Sequence, residues 1–314
     1  MSEWKSPDEV RPMKVVPVRH PWRWVAVAAL AVLAAMFVHM LVTNSHFHWA
    51  FMVDNAFRPP VIDGLLRGTI AGTLIAMTIG VVLGVVVAVM RLSDNPVLSG
   101  TAWLFTWVFR AVPRVVLIVL FANLGILWKR LEFGLPFDHQ LGALFGIHDF
   151  EARVFGIDAA TALTGFVAGM LALGLSEAAY MAEIVRAGIQ SVDEGQSEAA
   201  AALGMPKGRI LRRIVLPQAM RVIVPPTGNE TIAMLKDTSL LAYAPVIFEL
   251  FYQLKAVGTA SFDVFPMLVA AALYYLFIAS LLMIVQAFLE RKFGAGQRRS
   301  ENTGLLKWRF GGNR

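Results

Sequence analysis

Six stretches of this chain are apolar for long enough to cross a bilayer, and the polar residues between them collect in short runs. The stretches cover residues 22–42, 64–90, 97–127, 159–185, 222–248 and 266–289. A helix needs about 20 apolar residues to span a hydrocarbon core of about 30 Å. The third stretch is interrupted by Arg110, Pro113 and Arg114, and the fifth carries Pro225, Pro226, Asn229, Glu230, Lys236 and Asp237. Around a membrane body over 22–290 lie a polar tail over 1–21 and a basic tail over 291–314. Loops of 43–63 and 128–158 face the other side. The second holds Glu132, Asp138, Asp149, Glu151 and Asp158 and is compatible with a short surface helix. The pattern predicts an all-α integral membrane protein of about six transmembrane helices.

Within the second stretch, Gly64, Gly68, Gly72, Ala76, Gly80, Gly84 and Ala88 recur every four residues. Small residues at that spacing let another helix backbone approach closely. Four residues turn a helix by about 40° more than one full turn, so the stripe winds around it. Gly68, Gly72, Gly80 and Gly84 are therefore read as a helix-packing face without chemistry.

Residues 191–217 form a polar island that predicts two short helices and a hinge. Ser191 and Glu194 have capping-box spacing, and the Ala-rich run from Glu198 to Leu203 strongly favours helix. Gly204 suits the position just past a helix end, Pro206 suits the start of the next helix, and Pro217 is expected to close it.

The composition agrees with a membrane protein: 57% of the 314 residues are hydrophobic and the mean hydropathy is +0.62. No cysteine is present, which excludes disulfides, thiolate metal sites and cysteine nucleophiles. With the N-terminus inside, nineteen of the 28 Lys and Arg fall on inside segments, five outside and four within spans. Positive charge marks the cytoplasmic side. Both termini and the island are thus expected in the cytoplasm, and the net charge of +6 reflects topology rather than nucleic-acid binding. The first apolar run, about 21 residues without a small-x-small cleavage site, reads as a retained anchor. The basic tail suits attraction to anionic lipid. His46, His48 and the Asp138-His139 pair lack further ligands nearby and read as interfacial, so no metal is expected.

The island reads Glu198-Ala199-Ala200, then Gly204 after three residues, then Ile214-Val215-Leu216-Pro217 after nine more. It resembles the EAA loop of the permease subunits of bacterial ATP-binding-cassette importers. Flanking text (AYMAEIVRAGIQSVDEGQ, LPQAMRVIVPP, LKDTSLLAY, VMRLSDNPVL and FRAVP) is similar to the polar amino-acid branch of that family, over roughly residues 60–290. The resemblance implies the transmembrane domain of a type I importer that carries a polar amino acid or close analogue inward. Residues from about 195 to 206 would be the coupling helix, seated in a cytoplasmic ATPase. Glu198, Ala199, Ala200, Gly204, Pro206, Ile214, Leu216 and Pro217 would be the coupling set. It implies as partners a second permease, identical or homologous, an ATPase dimer and an extracytoplasmic solute-binding protein. The chain has no G-x-x-x-x-G-K-[ST] phosphate loop and no recognisable catalytic set, so it is not expected to be an enzyme. ATP and Mg would sit on the partner. Two departures stand out: the family's Arg-Gly-Thr-Pro-Leu appears as Arg110-Ala111-Val112-Pro113-Arg114, and residues 128–158 are longer than its outside loop.

Ionisable residues inside spans are costly and usually face a cavity or a partner. Tyr180, Glu183, Glu177, Lys236, Asp237 and Thr238 are therefore the candidate pathway residues. Glu183 would accept the ammonium of a zwitterionic solute. Glu177 lies about 120° around the helix from it. In the plainer reading Glu183–Arg186 is an intrahelical pair, Lys236–Asp237 a structural one, and Glu177 pairs with Lys236 across helices. The alternative, an ion-gradient-driven secondary transporter or channel, explains these charges but leaves the EAA spacing unexplained.

Overall fold

The computed structural model describes residues 21–44, 47–127, 130–135, 137–146, 150, 152–158, 162–163, 165–244 and 246–310, without the side chains of 21, 131, 139, 153 and 294–310. Most of the expected N-terminal tail, His46, the His139 side chain and the end of the basic tail lie outside the described residues. The chain divides after Trp49 into two compact units. The first contains one apolar helix, α1 (Pro21–Thr43), of mean hydropathy 2.6 over its spanning window.

The second unit begins one residue inside α2 (Trp49–Ala56) and continues into α3 (Pro59–Arg91), long enough and apolar enough to span. α4 (Pro96–Ala111) and α5 (Arg114–Leu127) meet at a 100° bend. Beyond them lie β1 (Arg130–Gly134), α6 (Asp138–Leu144) and β2 (Arg153–Asp158). Then come α7 (Gly165–Gln190), α8 (Glu194–Ala202), α9 (Lys207–Ile210) and α10 (Leu216–Asp237). A 3₁₀ segment (Thr238–Tyr243) leads to α11 (Leu250–Ala260) and α12 (Val264–Phe310).

Among the described residues, α1, α3, α7 and α12 pass as apolar spans, and α4–α5 makes a fifth if the bent pair counts as one. The expected stretch over 222–248 is built differently. Its helix starts earlier, at Leu216, and ends at Asp237. The charged positions that lower its hydropathy, Glu230 and Asp237, turn toward Arg114 inside the protein. The loop over 128–158 holds the expected short helix as α6, and adds an unexpected ribbon: β1 and β2 pair antiparallel on either side of it, and Phe133 stacks on its cross-strand partner Phe155 at 4.8 Å. Cross-strand aromatic pairs hold such ribbons, and partners 22 residues apart leave no local signature.

The island's caps also differ from expectation. Asp193, not Ser191, caps α8: its Oδ1 accepts from the Gly195 amide at 2.7 Å. Ser191 instead donates to the Gly188 carbonyl on the last turn of α7. Pro217 does not close the second piece. The helix passes from α9 through a wide π turn (Leu211–Val215) into α10, with Pro217 in its first turn. Proline removes one backbone bond and crowds the preceding turn, and widening that turn gives the ring room.

All seven small residues of α3 are buried. A Cβ on Gly80 would fall inside the Glu177 side chain of α7, and one on Gly84 would meet Met181 Cβ at 2.5 Å. Gly72 faces Met170 and Thr238. At the other end Gly64 and Gly68 press on the backbone of Phe248 and Glu249, a Gly68 Cβ lying 2.5 Å from Glu249 Cα. The stripe thus serves α7 with one half and the start of α11 with the other.

Glu249 holds that second contact. It is fully buried, and its Oε2 accepts from the Tyr252 amide at 3.1 Å as the cap of α11. Its Oε1 accepts from Thr69 Oγ1 at 3.0 Å and from the Tyr275 hydroxyl at 2.7 Å. Glu249→Ala is expected to cost about 3 kcal/mol, from the lost cap and two orphaned hydroxyls. Glu249→Gln, which keeps an acceptor, should cost far less. Denaturation of the purified protein in detergent measures both, and equal losses would contradict this account.

Candidate functional site

The 100° bend creates the site. Val112 is extended, as a residue before proline tends to be, and Pro113 caps α5 without an N–H to satisfy. Arg114, the first residue of α5, then reaches α7 and α10. Its Nη2 lies 2.9 Å from Glu177 Oε2 and 3.7 Å from Glu230 Oε2, and its Nη1 lies 2.5 Å from Asp237 Oδ2. Side-chain exposure grades outward from Glu177 at 0% and Arg114 at 14% to Glu230 at 25% and Asp237 at 31%. One guanidinium therefore faces three carboxylates. Glu177 Oε1 is buried with no hydrogen-bond partner.

Tyr180, one turn along α7, has the guanidinium carbons of Arg114 and Arg110 at 5.1 and 5.4 Å from its ring. Cations over an aromatic face gain from its quadrupole. Beyond it opens a cleft of about 470 Å³ that includes Arg91, Trp103, Trp107, Arg110, Tyr180 and Glu183. Trp103 and Trp107 stack with ring planes 5° apart.

The expected pathway residues are only partly brought together. Glu183 is engaged by two guanidiniums, Arg186 at 2.6 Å and Arg91 at 3.7 Å, so the intrahelical pair forms and a second cation joins it. Glu177 pairs with Arg114 rather than Lys236, and Asp237 does the same, so the expected Lys236 pairs do not form. Lys236 points to the exposed side of α10. Thr238 is buried and donates to the Leu235 carbonyl where α10 passes into the 3₁₀ segment. Arg114, outside the expected pathway residues, joins them, and so does Glu230, one of the charges that crowd the fifth apolar stretch. The charged residue where the family carries leucine was the available signal.

The loop over 191–217 stands apart from this cluster. Glu198, Ala199, Gly204, Pro206, Leu216 and Pro217 are exposed, Ile214 is half-buried, and Ala200 is buried at 4%. Gly204 takes φ +78, and its amide bonds back to Ala201, while Met205 bonds to Ala200. That is the left-handed helix end that glycine permits. Leu203 beside it is 84% exposed, an apolar side chain held out at the tip of the loop.

A bundle of spanning helices around a polar break, with an exposed helical loop on one side, defines a membrane transport component. The chain belongs to the family of binding-protein-dependent transport system inner membrane components, whose description matches residues 80–295. It is similar to the arginine transport system permease protein of Corynebacterium glutamicum, 42% identical over 94% of this chain and 87% of the relative. It is also similar to a probable amino-acid permease protein of Bacillus subtilis, 34% identical over 65% of this chain and 78% of that one. Its fold resembles the crystal structure of an amino acid ABC transporter with histidines: TM-score 0.57, 31% identity, 74% of this chain and 94% of the other. An alginate importer shares the fold alone, at TM-score 0.54 and 12% identity over 86% of this chain and 96% of the other. The chain is therefore an inner-membrane permease of the ABC-importer class and not an enzyme. Such permeases work with an ATPase and a solute-binding protein, and the ion-gradient alternative falls away.

Proposed function

We infer that this permease moves an amino acid inward, and that a cationic one fits it best. The observation that carries this reading is the cluster at the α4–α5 bend, where three carboxylates face one arginine and so favour a solute with added positive charge. The similarity to an arginine transport permease over nearly the whole chain supports it. Residues from about 195 to 206 act as the coupling helix, with Leu203, Ala199 and Glu198 against the ATPase, and Ile214, Leu216 and Pro217 anchor the loop to α10. Two permease subunits, identical or homologous, straddle an ATPase dimer that holds ATP and Mg. The solute-binding protein docks outside, both termini lie in the cytoplasm, and the basic tail lies along anionic lipid.

Reconstituting the permease in vesicles with its ATPase and binding protein tests this. ATP-dependent uptake of labelled L-arginine or L-lysine is expected, and L-glutamate should be taken up far more slowly. Equal uptake of glutamate would remove the cationic assignment. ATP hydrolysis by the purified permease alone would remove the division of labour.

A further inference from the structure

We propose that Arg114 is a resident competitor for the solute's cation, occupying the carboxylates of α7 and α10 until a cationic side chain exchanges with it. This rests on the cationic reading above and adds the residue that sets how strongly such a solute is held.

Arg114 does not make a two-pronged pair with one carboxylate. Its two terminal nitrogens go to different helices, one to Asp237 on α10 and the other to Glu177 on α7, with Glu230 at a longer 3.7 Å. Each bond is single-point, so none has the geometric hold of a fork-to-fork pair. The positive charge also sits in the first turn of α5, where the helix dipole disfavours a cation. The carboxylates and the Tyr180 ring keep it there. On the α10 side the carboxylates are a quarter to a third exposed, so a second cation can approach them. At the deep end Glu177 Oε1 is buried without a hydrogen-bond partner, so Arg114 leaves one acceptor of the cluster unused. Tyr180 offers its ring to whichever cation occupies the cluster.

Exchange has a thermodynamic signature. If Arg114 fills the cluster most of the time, the apparent affinity for a cationic solute is reduced by the fraction of time the cluster is free. Arg114 returning to the carboxylates also helps expel the solute, and it keeps small inorganic cations from settling on three unpaired acids.

The test is binding of labelled L-arginine to the purified permease–ATPase complex in detergent, with L-glutamine as the neutral probe. Arg114→Leu is expected to tighten arginine binding about tenfold or more and to leave glutamine unchanged. Arg114→Lys keeps the charge but cannot bridge both helices equally well, and should tighten arginine binding a few-fold. It decides the matter alone if the leucine variant fails to assemble. Unchanged or weaker arginine binding in the variants overturns the proposal. So does an equal gain for glutamine, which would mark a general loosening of the pocket. If the wild-type complex binds glutamine but not arginine, the cationic reading itself fails, and this proposal falls with it.

Discussion

Gly80→Leu is expected to reduce uptake to below about a tenth of wild type, the largest effect of any single substitution in the membrane body. The new side chain has no place to go, because its Cβ would already overlap the Glu177 side chain. Overpacking a tight interface typically costs about 1–3 kcal/mol. Here the displaced residue is also a fully buried carboxylate, and breaking its bond to Arg114 leaves an uncompensated charge, typically worth about 3–5 kcal/mol. Gly100→Leu is the matched control, since a side chain there meets nothing within 4 Å. Uptake in vesicles and thermal melting in detergent both read the difference. Wild-type uptake by Gly80→Leu would show that α3 and α7 are not in close contact in the working carrier.

Gly204→Val should insert and fold yet transport at under about a tenth of the wild-type rate, with ATP hydrolysis no longer stimulated by solute. A non-glycine residue at φ +78 costs about 1–2 kcal/mol, and a β-branched one fares worst. The turn will relax toward negative φ, and α8 with Leu203 will swing away from its docking position. Gly204→Asn should retain most activity, because asparagine tolerates left-handed backbone. The contrast matters, since the open space around Gly204 rules out a clash as the cause. If both variants behave alike, the left-handed turn is not what positions the loop.

Much of this architecture was legible in the sequence because it is local. The four-residue spacing of glycine and alanine marks the face of α3 that the structure buries. Gly204 and Pro206 mark the hinge where it occurs. What stayed hidden depends on partners distant in the chain. Arg114 is 63 residues from Glu177 and 123 from Asp237, so no periodicity links them. Lys236 stands next to Asp237 and was the natural partner by proximity, yet neighbours in a helix point about 100° apart. The structure sends one inward and leaves the other exposed. The choice of Asp193 over Ser191 as the cap turned on which side chain the end of α7 had already claimed.

The wide turn at the start of α3 has a consequence for registry. Residues Gly64–Ile70 form a π segment, in which each amide bonds five residues back instead of four. Each residue there rotates less about the axis than in an ordinary helix, so the winding of the small-residue stripe slows. Gly64 and Gly68 consequently stay over one short piece of backbone, at Phe248 and Glu249, before the ordinary pitch carries Gly80 and Gly84 around to α7. Spacing and pitch thus act as one ruler. Deleting a single residue from the wide turn would leave every glycine in the chain and still point one set of them at the wrong neighbour.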